Sequence, residues 1–191
     1  VLEDTKRKIL EAAKKIFAEK SFFDATLEDV AALSGVKKST IYYYFESKLD
    51  LLMKVIQEVF EELAEALEST LPRGNAKEIL ARIVDCYCEF FSEKRDLLFV
   101  FQRAAFDLLS HDEACRRFQE VAQRFQEIRK RIAEKIGEVT TRTGKKIPGD
   151  ALLRMVAASI GGYCIEELKE GRTITQDDKE ILKEVFTAFL T

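Results

Sequence analysis

The chain is poor in the residues that interrupt regular structure. Among its 191 residues are two prolines, eight glycines, one histidine and no tryptophan. So few turn-formers exclude a β-sandwich and a disordered chain. No apolar run approaches the ~18 residues of a membrane-spanning helix. No signal-peptide pattern opens the chain, and a cytoplasmic location is expected. The four cysteines, Cys86, Cys88, Cys115 and Cys164, show no CxxC spacing. Cys86 and Cys88, two apart, face different ways on a helix. Free, mostly buried thiols in a reducing compartment are expected, with no metal and no cofactor. One histidine, no paired nucleophile and base, and no phosphate loop leave no catalytic residues to assign, and an enzyme is not expected. A dominant charge is missing as well: 31 Lys and Arg stand against 34 Asp and Glu, a net charge of −3. Residues 1–50 hold nine of each sign. Any nucleic-acid binding would depend on local clusters such as Lys6–Lys8 and Lys37, Lys38 and Lys48, and would weaken with salt.

What is present is helical periodicity. With 47% hydrophobic and 34% charged residues, the chain can bury a sizeable core. Ile9, Ala12, Ala13, Ile16 and Phe17 follow one buried helix face, so a helix is predicted over about 5–20, capped by Asp4. A second long helix is predicted over about 48–70 on Leu52, Val55, Ile56, Val59, Phe60, Leu63 and Leu67. Leu71–Asn75 is the clearest break. Further helices are predicted over about 76–92, 96–109, from Ser110 or Asp112 to about 141, 149–170 (ended by Gly171) and 175–190, with a loop at 145–149. His111 lies at a helix junction, suited to capping or exposure, and Arg103 is expected to pair with Asp107 four residues on. The fold class is all-α, about nine helices.

Thr26–Lys48, TLEDVAALSGVKKSTIYYYFESK, organises the rest. Thr26 can cap a short helix, with Asp29 three residues on. Gly35 stands where that helix must stop and turn sharply. A second helix starts near Lys37 or Lys38 and points Ile41 and Phe45 into a core. Lys38, Ser39, Tyr42, Tyr43 and Tyr44 lie on other faces. Ser47 caps the next helix, with Asp50 three residues later. Helix, glycine turn, helix is the helix-turn-helix plan. An ordinary helical hairpin would not need a second helix that is basic at its start, rich in hydroxyls and carries three consecutive tyrosines.

Residues 7–52, RKILEAAKKIFAEKSFFDATLEDVAALSGVKKSTIYYYFESKLDLL, closely resemble the DNA-binding domain of the TetR-like family of bacterial repressors. The likeness is carried by Ile9–Phe17, Thr26, Asp29–Ala31, Gly35–Val36, the STIYYYF run and Ser47–Lys48. Ser21, Lys37 and Leu49 depart from the family pattern, and Lys37 leaves the second helix of the motif without its usual side-chain cap. The resemblance implies a helix-turn-helix domain over 1–47 and a ligand-binding and dimerisation domain over 48–191. It implies a homodimer that binds a palindromic double-stranded DNA operator and is released by a small-molecule effector. Thr26, Tyr42, Tyr44 and Lys48 would hold phosphates. Lys38, Ser39 and Tyr43 would face base edges, Thr40 could do either, and Lys37 flanks the site. An effector pocket is implied within the later helices, where Phe101, Phe118, Phe125, Met155 and Tyr163 are the candidates. Its apolar make-up favours a hydrophobic effector, and the layout from Leu97 onward is similar to the family's fatty-acid-metabolism repressors, whose effectors are acyl-CoA thioesters. Two glycines inside the helix over about 149–170 cost about 1 kcal/mol each relative to alanine. Close approach of another helix would offset that, and the family's dimer is a four-helix bundle at this place. Ala158, Gly161, Gly162, Ile181, Val185 and Phe189 are its expected contacts. The alternative is a helical small-molecule-binding or scaffold protein without sequence-specific DNA binding, against which the intact Tyr42–Lys48 set argues.

Overall fold

The computed structural model describes residues 2–69, 74–108, 112–188 and 190, without the side chains of 105–108. Among these residues the order is α1 (Leu2–Glu19), α2 (Leu27–Ser34), α3 (Lys38–Tyr44), α4 (Lys48–Ser69), α5 (Ala76–Glu93), α6 (Arg95–Leu108), α7 (Asp112–Val121), α8 (Gln123–Ile136), β1 (Glu138–Thr140), β2 (Lys146–Pro148), α9 (Gly149–Lys169) and α10 (Gln176–Thr187). Among the described residues the regular structure is all helical apart from this one short hairpin. None of the chain's described helices is long and apolar enough to cross a membrane. It divides into two compact units, Val1–Glu61 with Asp96–Gln123, and Glu62–Arg95 with Arg124–Thr191.

In the first unit α1 buries Ile9, Ala12, Ala13, Ile16 and Phe17, the face that the spacing predicts. It starts earlier than expected, at Leu2. Asp4 is therefore inside the first turn and is not the cap: its carboxylate accepts from Arg7 at 3.0 Å and pairs with Lys8 at 3.2 Å. Lys14 ties α1 to α4 by pairing with both Glu11 (2.9 Å) and Glu58 (3.1 Å). Leu51, Leu52, Val55, Ile56 and Val59 of α4 are buried. Phe60 meets the rings of Phe101 and Phe118 edge-on, at 4.7 and 5.4 Å between centroids.

In the second unit α5 packs against both α9 and α10. Ile79, Ile83, Val84, Tyr87 and Cys88 of α5, Leu152, Val156, Ile160 and Cys164 of α9 and Leu182 of α10 form the core. The single helix predicted over 112–141 is two helices, interrupted at Ala122 and ended at Ile136, so ten helices are described rather than about nine. Gly137 (φ 66°) terminates α8. The β-branched run Val139–Thr140–Thr141 then forms a hairpin, pairing Val139 with Ile147 around a turn at Gly144 (φ 79°). The predicted loop at 145–149 is thus largely the second strand. Helical periodicity fades at 138–141, and β-branched residues followed by a left-handed glycine favour the strand.

Gly149 opens α9 where no side chain fits. A Cβ there would stand 2.5 Å from the carbonyl oxygen of Ala133 and 2.7 Å from that of Gly137, both backbone atoms. Gly149→Ala is expected to lower stability by about 1–3 kcal/mol, the usual cost of overpacking, read as a fall in the thermal midpoint with helix content unchanged below it. The start of α10 is a second capping box, Thr175 with Asp178. The same Thr-x-x-Asp spacing as at Thr26 was the available signal. Residues 71–73, His111 and Phe189 lie outside the described residues, as does the side chain of Asp107 that Arg103 was expected to meet.

Candidate nucleic-acid interface

Thr26 holds an extended backbone (φ −119°, ψ 156°) ahead of α2. Its Oγ1 accepts from the Asp29 amide at 3.1 Å, and Asp29 Oδ2 accepts from the Thr26 amide at 3.0 Å and its hydroxyl at 2.9 Å. Lys20 Nζ lies 2.9 Å from the same carboxylate. Lys20 first, then the Thr26 hydroxyl and amide, holds the Asp29 carboxyl down to about 2. A carboxylate depressed in the folded state stabilises it above the ordinary carboxylate range and loses that contribution as pH falls through the folded value. The start of α2 is therefore expected to stay intact down to about pH 4 and to loosen only as pH falls toward about 2. Carboxyl chemical-shift titration of Asp29 checks this; a midpoint near 4 would contradict it.

Gly35 ends α2 in the left-handed region (φ 72°), and its amide and that of Val36 both donate to the Ala31 carbonyl, at 3.0 and 3.2 Å. This left-handed cap turns the chain sharply. Lys37 then precedes α3 with no side-chain cap, as its departure from the family pattern implies. Only seven residues long, α3 is held by burial: Ile41 is fully buried and Phe45 nearly so. The opposite face is open. Ser39 is exposed, as are Tyr42 (52%) and Tyr43 (74%), and Thr40 is half-buried. Tyr43 and Tyr44 meet edge-on at 5.0 Å. An open tyrosine and hydroxyl face on a short helix, with Lys37 and Lys38 at its start, offers donors to phosphate and to base edges alike.

Four of the candidate groups are engaged within the head itself, Thr26 by its hydroxyl and amide bonds to Asp29. The Tyr44 hydroxyl donates to the Leu2 carbonyl at 3.1 Å. Lys48 Nζ donates to the carbonyls of Phe22 (2.5 Å), Ala25 (2.8 Å) and Phe23 (3.4 Å) and lies 4.5 Å over the Phe22 ring. Its ammonium clasps the turn between α1 and α2, and burial pulls its pKa below the ordinary lysine value. Lys38 Nζ pairs with the Glu28 carboxylate of α2 and lies 5.8 Å over the Tyr42 ring. Neither the clasp nor the Glu28 partner was legible in sequence, because the partners lie ten to twenty-six positions away with no local rule connecting them.

Of the effector candidates, Phe101 and Phe118 are half-buried in the first unit against Phe60. Phe125, Met155 and Tyr163 belong to the second unit. Phe125 is half-buried, Met155 is 49% exposed, and the Tyr163 hydroxyl donates to the Asp178 carboxylate, which pushes the phenol up to about 12. Of the dimer candidates, Ala158 and Gly162 are exposed, Gly161 is half-buried, and Ile181 and Val185 are each more than half exposed. A Cβ on Gly161 or Gly162 would meet nothing within 4 Å. Nothing described in the chain itself needs glycine at those positions.

Residues 9–55 match the family model for bacterial regulatory proteins, tetR family. The chain is 28% identical over 95 residues to the fatty acid metabolism regulator protein of Bacillus subtilis, covering 49% of each. It is 26% identical over 173 residues to the HTH-type transcriptional repressor BepR of Brucella suis, covering 86% of this chain and 81% of that one. The chain spans about half the length, or less, of several such curated relatives. Its fold matches the transcriptional regulator FadR from Bacillus subtilis, solved in complex with stearoyl-CoA, with a TM-score of 0.76 at 20% identity over 96% of this chain and 99% of that one. The helix-turn-helix head and the family match that covers it agree: residues 9–55 form a helix-turn-helix domain of the tetR family of bacterial regulatory proteins, and the chain shares the all-helical fold of such regulators.

Proposed function

We propose that the protein is a homodimeric, ligand-responsive transcriptional repressor. Residues 1–47 bind a palindromic double-stranded DNA operator, and residues 48–191 bind the effector and join two copies. The observation that carries this is the face of α3: Ile41 and Phe45 anchor it from below while Ser39, Tyr42 and Tyr43 stand open beside Lys38. Lys38, Ser39 and Tyr43 read base edges. Thr26 and Tyr42 hold phosphates and fix the register, with Lys37 and Thr40 at the margin. Tyr44 and Lys48 support the surface that the phosphates meet. Two heads on a two-fold dimer meet half-sites about 34–36 Å apart.

The test separates the two kinds of contact. Lys38→Ala should cost about 1–3 kcal/mol on operator DNA and little on random DNA, relaxing base preference at one position. Tyr42→Phe should cost about 1 kcal/mol on both, the value of a lost phosphate hydrogen bond. Equal losses on both DNAs for Lys38→Ala would refute the base-reading role.

The effector is hydrophobic, and acyl-CoA thioesters are the first class to test. Support comes from the fatty-acid regulators among the relatives and from the half-open cluster of Phe60, Phe101 and Phe118. That cluster is wired to the head. On α7, one residue before Phe118, Arg117 Nη2 donates to Asp50 Oδ1 at 2.7 Å, and Asp50 Oδ2 accepts from the Glu46 amide at 3.1 Å at the start of α4. A ligand that displaces Phe118 thereby pulls on the residue joining α3 to α4. It releases DNA only to the extent that it binds the displaced state better.

A further inference from the structure

We propose that the groove between α1 and α2 is a second DNA-backbone contact, in which Arg7, Lys8 and Lys15 hold phosphates beyond those held at Thr26 and Tyr42. The proposal rests on the DNA-binding reading and extends it to α1, whose basic run at Lys6–Lys8 has no task in a surface built on α3 alone.

Helices α1 and α2 pack against each other within the head, and the groove along their solvent-facing seam has a volume of about 350 Å³. Arg7, Lys8 and Lys15 of α1 and Leu33 and Ser34 of α2 line it, with Glu11 between the cations. What holds the two ends of α1 puts this seam beside the DNA. At its start, the Leu2 carbonyl accepts from the hydroxyl of Tyr44, the last residue of α3. Just past its end, Lys20 pairs with Asp29 in the capping box of Thr26. Both ends are tied to residues of the DNA-facing surface, so α1 runs along that surface and not away from it. The α2 wall leads the same way, because Ser34 is followed directly by the Gly35 turn, Lys37 and Lys38. The Ser34 hydroxyl is turned back onto the Val30 carbonyl at 2.6 Å, so the donors on offer are the three cations. Leu33, half exposed, gives an apolar wall for a deoxyribose.

The charges in the groove differ in how free they are. Arg7 and Lys8 are well exposed and share the Asp4 carboxylate. Glu11 is taken by Lys14. Lys15 is exposed and has no ionic partner among the described residues. Exposed pairs such as those with Asp4 are weak, and giving them up costs the same on any DNA. Each cation that neutralises a phosphate releases a counterion and adds about 0.9 to the slope of log affinity against log salt, so the contact weakens about eightfold for each tenfold rise in salt. Backbone contacts carry no sequence information. The groove therefore strengthens operator and random DNA equally, adding affinity without adding specificity, and Lys15 contributes most because it has no partner to leave.

The test is fluorescence-anisotropy titration of the full-length protein against a random-sequence duplex and an operator duplex across a salt series. Lys15→Gln and the triple variant Arg7→Gln, Lys8→Gln, Lys15→Gln are compared with wild type and with Lys130→Gln, which removes one charge from an exposed position on α8. K15Q should lower the salt slope by about 0.9 per copy on both duplexes and weaken binding at low salt by about three- to tenfold per copy. The triple variant should lower the slope further, K130Q should leave it unchanged, and the operator-to-random ratio should stay the same throughout. Ethylation of single phosphates locates the contact: at some positions it should block wild type but not the triple variant. An unchanged slope in K15Q or in the triple variant, a loss confined to the operator, an equal loss in K130Q, or the same ethylation pattern in wild type and triple variant would overturn the groove. Failure of the wild type to hold either duplex at low salt would overturn the DNA-binding reading itself, and the groove with it, before any variant is made.

Discussion

Glutamate at both Ile181 and Val185 is expected to leave a folded monomer whose operator affinity is about 10²–10⁴-fold weaker. Both side chains are more than half exposed on α10, whereas Leu182 beside them is buried. The fold therefore loses little when they change, and a partner surface loses much. On α9, Ala158 and Gly162 present almost bare backbone, and Gly161 and Gly162 have open space where a Cβ would be. Two glycines in the middle of a helix weaken it by about 1 kcal/mol each relative to alanine, and a second copy approaching closely restores that loss through packing. Four carboxylates brought together on a two-fold axis oppose this strongly. Once the dimer is gone, the second head no longer binds at the high effective concentration set by the first, which is the source of the 10²–10⁴ factor. Sedimentation velocity and operator titration read the two consequences together. A variant that remains dimeric, or a monomer that binds the operator as tightly as wild type, would contradict the assignment of this face.

Ile41→Ala is expected to abolish DNA binding while sparing the second unit. Ile41 is fully buried and is the anchor of a seven-residue helix far too short to persist alone. Truncating a buried isoleucine to alanine costs about 2–5 kcal/mol, enough to unseat α3 within a small head. Tyr43→Ala is the counterpart. It removes a larger side chain, but one that is 74% exposed, so stability should change by less than about 0.5 kcal/mol and only DNA affinity should fall. Hydrogen exchange across 38–45 with parallel operator titration distinguishes them. If Ile41→Ala kept α3 protected and DNA bound, the seating of the recognition helix would have to rest on other residues.

The head was legible because local rules determine it. Thr26 and Asp29 form the predicted capping box, Gly35 adopts the left-handed turn, Lys37 leaves α3 uncapped, and Ser47 Oγ accepts from the Asp50 amide at 3.0 Å. Each of these joins residues within four positions of one another. What sequence missed depends on longer reach. The Lys48 clasp on the carbonyls of Phe22, Phe23 and Ala25, the Tyr44 bond to Leu2 and the Glu28–Lys38 pair are set by how α1 to α4 stack, which no spacing encodes. The hairpin at 138–148 was missed for a different reason. It is three residues a side and begins only two residues after α8 ends, so its signals are short: a helical periodicity that fades at 138–141, the β-branched residues and Gly144. The effector candidates rest on the Phe-rich later helices together with the pocket that the family resemblance implies. That signal found the Phe60–Phe101–Phe118 cluster but could not foresee Met155 standing half-exposed or Tyr163 bound to Asp178.

The most direct measurement is selection of genomic DNA fragments on the purified protein at low and moderate salt, followed by sequencing of what stays bound. A sequence-reading repressor retains a few fragments at moderate salt that share a palindrome with half-sites one helical turn apart, and the genes beside them name the chemistry of the effector. Retention of nothing, or of random DNA that is lost as salt rises, would contradict the claim that the open face of α3 reads sequence.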